Sequence, residues 1–78
     1  MALRIEFTVE PFVEGNPGPH VQAAVDAARA RGLDVDFGPF GSTADGEERA
    51  VLDGLDAMVR AAIGAGASRV SVQVTRSQ

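Results

Sequence analysis

The chain has 78 residues, room for a single small domain. Only 22 of its apolar residues are larger than alanine (ten Val, four Leu, four Phe, two Ile and two Met), and it has no cysteine and one histidine, which excludes disulfides, thiolate zinc sites, cysteine nucleophiles and multi-histidine metal centres. The net charge is −4, with seven scattered arginines and no lysine, a balance that speaks against general binding to nucleic acid or to an anionic membrane.

Leu3, Ile5, Phe7 and Val9 alternate with Arg4, Glu6, Thr8 and Glu10. Period two predicts a strand with one face buried. Pro11 ends it, and the segment Glu14-Gly15-Asn16-Pro17-Gly18-Pro19 reads as a loop. Pro19 suits the first position of a helix, where its missing N–H has no helical partner. Val21, Ala24, Val25 and Ala28 recur at helical spacing, Arg29 and Arg31 complement the dipole of the last turn, and Gly32 is a natural stop. Leu33, Val35 and Phe37 alternate with Asp34 and Asp36, predicting a second strand.

Gly38 to Gly41 reads as a turn or bulge, followed by a short third strand over Ser42 to Ala44. Asp45 is expected to cap a second helix, with Glu47 and Glu48 in its positively polarised first turn. Val51, Leu52, Leu55, Met58, Val59, Ala62 and Ile63 give that helix a wide apolar stripe, and Gly64 and Gly66 end it. Val70, Val72 and Val74 alternate with Ser71, Gln73 and Thr75 as a last strand. The order strand, helix, strand, strand, helix, strand predicts an α+β sandwich. It is the ferredoxin-like βαββαβ arrangement, a four-stranded antiparallel sheet with two helices on one face, filling residues 1–78 as one domain.

Such a sheet leaves its other face, carrying Arg4, Glu6, Thr8, Ser71 and Gln73, with no helix to cover it. A domain of this size buries only about 60% of the surface its unfolded chain exposes. Both points lead to the expectation of self-association through the sheet, as a dimer or tetramer. Charged residues within positions 1–10 exclude a signal-peptide core, and no apolar run approaches the roughly 18 residues of a membrane span, so the expected compartment is the cytoplasm.

Two dense stretches carry the candidate binding chemistry. The first is the loop from Pro11 to Pro19, ending at a helix N-terminus whose free N–H groups suit polar ligand atoms. The second runs from Gly38 to Glu47, where Ser42, Thr43 and Asp45 cluster hydroxyls and a carboxylate, and Phe40 offers a flat ring. His20 has no nucleophile placed beside it, and no catalytic triad, acid–base pair or metal cluster emerges. The expectation is a binding module without catalytic, metal or cofactor residues.

Read together, Pro11-Phe12, Gly15-Asn16-Pro17-Gly18, Gly32-Leu33, the run Gly38-Pro39-Phe40-Gly41-Ser42-Thr43-Ala44-Asp45-Gly46-Glu47 and Gly66-Ala67-Ser68-Arg69-Val70 resemble the thiamine-binding protein family of small YkoF-like domains. The resemblance runs nearly end to end. Phe40, Ser42 and Asp45 stand where methionine, threonine and glutamate are usual in that family, each keeping the chemical type. The resemblance implies a ferredoxin-like oligomer that binds thiamine or its hydroxymethylpyrimidine part without catalysis. Asp45 or Glu47 would pair with the thiazolium cation, Phe12 or Phe40 would stack on a ring, and Ser42, Thr43 and Asn16 would bond the pyrimidine edge. The alternative is a ferredoxin-like regulatory or partner-binding module for another small ligand such as an amino acid. An isomerase-type enzyme using His20 or Asp45 is the third reading.

Overall fold

The alternation at the start of the chain forms strand β1 (Ala2–Glu10), and the computed structural model, which describes residues 1–11, 18–38 and 41–76, places it at the centre of the sheet. Helix α1 (Pro19–Ala30), strands β2 (Asp34–Gly38) and β3 (Gly41–Glu47), helix α2 (Glu48–Gly64) and strand β4 (Arg69–Arg76) follow. The sheet order is β2-β3-β1-β4, every pairing antiparallel. This is the expected ferredoxin-like α+β sandwich.

Leu3, Ile5, Phe7 and Val9 are buried against the helices together with Val21, Ala24, Val25 and Ala28 of α1 and Val51, Met58 and Ala62 of α2. Arg4, Glu6 and Thr8 are exposed on the opposite face. Ile5, Val51 and Met58 are fully enclosed. Each such side chain contributes about 1.5–3 kcal/mol by leaving water.

Both helices close through glycine. Pro19 occupies the start of α1 as expected. At the other end Gly32 takes φ +85°, its N–H donating to the Arg29 carbonyl, while the Leu33 N–H reaches back to Ala28 at 3.2 Å. Gly66, with φ +106°, repeats the motif on α2, its N–H donating to Ile63 and that of Ala67 to Ala62. Only glycine enters this left-handed region at little cost, and the paired bonds satisfy carbonyls the helix end leaves free. Arg29 sits in the last turn of α1 and also donates from Nη2 to the Val35 carbonyl at 3.3 Å.

Two expectations need correction. The third strand does not stop at Ala44 but runs to Glu47, paired with β1 through Arg4↔Asp45, Leu3↔Gly46 and Ala2↔Glu47. Asp45 therefore lies inside a strand and does not cap α2. That position falls to Glu47, whose side chain makes no capping bond, and Glu48 alone stands in the first turn. The reason is long-range: the ladder with β1 takes up the backbone that a cap would have needed, and the Glu48 N–H donates to the Met1 carbonyl at 2.8 Å. The second correction concerns Phe37, which continues the alternation of β2 yet is 40% exposed, because β2 is an edge strand.

Candidate functional site

The antiparallel register aligns side chains from distant parts of the chain into rows. On the open face one row runs Asp36, Thr43, Glu6 and Gln73 across all four strands. The next runs Asp34, Asp45, Arg4 and Thr75. Around the first row lies a shallow basin of about 490 Å³, lined by Glu6, Thr8, Gly41, Thr43, Ser71 and Gln73, with Phe7, Ser42 and Val72 completing its floor. Gly41 keeps that floor low, since a Cβ there would meet the Thr8 Cγ2 at 3.2 Å and the Phe7 carbonyl oxygen at 3.3 Å.

The chemistry of the basin is that of a carboxylate set among neutral donors and acceptors. Glu6 stands between the Thr43 hydroxyl and the Gln73 amide, its nearest cross-strand neighbours. Directly opposed strand residues lie within about 5.5 Å of each other, so the three groups form one continuous polar row.

The charges around the basin are mostly acidic. Asp34 and Asp45 face each other across β2 and β3, a like-charge pair that Arg4 offsets. The Arg4 Nε donates to Asp45 Oδ1 at 2.8 Å, and Nη2 reaches Oδ2 at 3.4 Å. This hydrogen bond, and next the charge of Asp45, raise the Arg4 guanidinium above its ordinary pKa. At the other end Arg69 pairs with Glu10 at 3.8 Å. Among the described residues Glu6, Asp34 and Asp36 have no ion-pair partner, so the open face carries uncompensated negative charge.

The expected site residues are thus separated. Thr43 lines the basin. Ser42, its neighbour in sequence, turns to the helix side and is buried in the row Phe37, Ser42, Phe7 and Val72. Asp45 is on the open face but outside the basin and held by Arg4. Glu47 is at the far end of β3, exposed, 3.9 Å from the terminal amine. Phe12, Asn16 and Phe40 lie outside the described residues. Glu6, Thr8, Ser71 and Gln73 were legible in the sequence as members of the uncovered face. Their convergence with Thr43 was not, because it depends on which strands are neighbours.

His20 has a structural use. From the first turn of α1 its Nε2–H donates to the Pro11 carbonyl, clasping the exit of β1 to the start of the helix. The ring lies over Gly18, where a Cβ would meet it at 2.5 Å. Among the described residues no group of His, Asp and Glu side chains has the arrangement of a metal site, and no helix is long and apolar enough to cross a membrane.

The fold recurs in solved structures. A domain of unknown function, DUF77, from Bacillus cereus superposes with a TM-score of 0.69 at 23% identity, covering 95% of this chain and 72% of that one. A Streptococcus pneumoniae protein gives 0.72 at 20% identity, covering 96% and 83%. A Thermotoga maritima protein assigned provisionally to thiamine biosynthesis or salvage gives 0.67 at 22% identity, covering 96% and 81%. Among curated proteins none matches. A family model described as thiamine-binding protein matches residues 5–77, close to the whole chain. The chain belongs to the thiamine-binding protein family.

Proposed function

We propose that this chain is a non-catalytic, cytoplasmic binder of thiamine or its hydroxymethylpyrimidine part, self-associating through its sheet as a dimer or tetramer. Family membership over residues 5–77 is the observation that carries the reading. The open face supplies chemistry that suits it. Thiamine joins a cationic thiazolium to a flat aminopyrimidine. The Glu6 carboxylate accepts from the exocyclic amine, the Gln73 amide both donates and accepts along the ring edge, and Thr43 offers a hydroxyl. The uncompensated acids Asp34 and Asp36 favour a cation nearby. Ser42, Asp45, Glu47, Phe12, Asn16 and Phe40 remain candidates through the family resemblance.

A free amino acid is the second reading, since Glu6 would also accept from an α-ammonium group. Its carboxylate, however, would find the two open-face arginines, Arg4 and Arg69, already paired with Asp45 and Glu10. That favours a ligand without a carboxylate.

Calorimetry with thiamine, hydroxymethylpyrimidine and a panel of amino acids tests both readings. Thiamine or the pyrimidine should release heat, and chromatography of the recovered ligand should show it unchanged. In Glu6→Gln, loss of a charge-assisted hydrogen bond worth about 1.5–3 kcal/mol should weaken binding at least about 10-fold. No heat from folded protein at millimolar thiamine or pyrimidine refutes the ligand. Unchanged affinity in Glu6→Gln moves the site away from the basin.

A further inference from the structure

The open face can bond a neutral or cationic ring, but it carries little that neutralises an anion. The row Asp36, Thr43, Glu6 and Gln73 holds two carboxylates, and Asp34 stands two residues from Asp36 on the same face. None of these three acids has an ion-pair partner among the described residues. Asp34 and Asp36 are exposed on the β2 side of the basin, so they flank any ligand that extends past Thr43.

The cations are placed elsewhere. The chain has no lysine, so only its seven arginines could meet an anion. Arg29 and Arg31 are at the end of α1, Arg49 and Arg60 are on α2, and Arg76 stands opposite Leu3 on the helix side of the sheet. Arg4 is engaged by both oxygens of Asp45, at 2.8 and 3.4 Å. That leaves Arg69 as the one cation a ligand in the basin could recruit, since it stands 3.8 Å from Glu10. Drawing it away would strip Glu10 of its partner and add a further bare carboxylate beside the anion.

Helix dipoles do not fill the gap. Phosphate is ordinarily held by helix N-termini or by arginine forks. Both helices pack on the buried side of the sheet, opposite the basin. In sequence, segments 12–17 and 39–40 contribute Glu14 and no base.

We propose that the basin selects its ligand by phosphorylation state, taking free thiamine or free hydroxymethylpyrimidine and rejecting their phosphate esters, with Asp34 and Asp36 as the specificity-determining residues. The ring-binding groups Glu6, Thr43 and Gln73 serve the free compound and its ester alike. The ester adds about −1.5 to −2 charges at neutral pH. Asp36 is one strand from Thr43 and two from Glu6, so separations on the order of 5 to 10 Å apply. At about 8 Å, with an effective dielectric between that of a protein surface and that of water, each pair of like unit charges weakens binding roughly 2- to 30-fold. The basin is shallow and open, so size does not turn a phosphate away. Charge makes the discrimination.

The inference rests on the thiamine reading, and the test separates the two. Calorimetry compares thiamine with thiamine monophosphate, and hydroxymethylpyrimidine with its phosphate, for wild type and Asp34→Asn/Asp36→Asn. Each free compound should bind at least about 10-fold more tightly than its ester at low salt. The ratio should fall at least about 3-fold in about 1 M sodium chloride, where screening acts over about 3 Å. It should fall similarly in the variant. The variant should keep the wild-type circular dichroism, because both residues are exposed and Asp34 is relieved of Asp45. An ester that binds as tightly as the free compound refutes the inference and leaves the thiamine reading standing. A ratio that neither salt nor the variant changes refutes selection by charge. No heat from any of the four compounds refutes the thiamine reading and this inference with it.

Discussion

Gly54 brings α2 close onto Leu33, the residue just before β2. It is buried in the middle of α2, and a Cβ built on it would lie 2.4 Å from the Leu33 Cδ1 and 3.0 Å from Cγ. The Cδ1 is the end of a flexible side chain, but Cγ is not. Leu33 itself is buried and tied by its N–H to the end of α1, so it has little room to swing away. Gly54→Ala should therefore overpack the core at a cost of about 1–3 kcal/mol. The better helix propensity of alanine returns up to about 1 kcal/mol. With the full propensity gain the expected net loss is up to about 2 kcal/mol, or a fall in Tm of up to about 16 °C for a domain of this length. Thermal and urea unfolding measure it. Trimming the obstacle with Leu33→Val should make Gly54→Ala cheaper than in wild type, with a coupling of at least about 0.5 kcal/mol in the double-mutant cycle. A Gly54→Ala protein that melts at or above wild type, or zero coupling to Leu33, would refute the packing argument.

Other substitutions separate backbone from packing effects. Gly32→Ala meets no atom within 4 Å, yet its φ of +85° should cost about 1–2 kcal/mol. Gly64→Ala is equally open but has ordinary helical geometry, so by propensity it should gain up to about 1 kcal/mol. Opposite signs in paired urea melts are the expected result, and equal signs would contradict it. Met58→Ala, at a fully enclosed position, should lose about 2–5 kcal/mol and unfold much of the protein at ambient temperature. A Met58→Ala melting curve like that of wild type would place the centre of the core elsewhere.

What the chain discloses by itself is local. The alternation of β1 assigns Leu3, Ile5, Phe7 and Val9 to one face and Arg4, Glu6 and Thr8 to the other, because successive strand side chains point oppositely whatever the neighbours are. Gly32 and Gly66 mark both helix ends, since the left-handed turn required there is a property of the single residue. The element order leads to the ferredoxin-like fold, and the run of glycine-rich motifs to the family.

The tertiary structure decided what depends on pairing. Asp45 looks like a helix cap in sequence, but pairing with Arg4 extends β3 past it and turns its carboxylate into an ion-pair partner. Ser42 and Thr43 look like one cluster, but β3 sends them to opposite sides of the sheet. Phe37 looks like core until β2 proves to be an edge. The basin exists because register sets Glu6 beside Thr43 and Gln73, residues distant in sequence. Local pattern tells a residue which way it faces. Which residues share that face is decided by the ladder of backbone hydrogen bonds, which forms only when the whole sheet does.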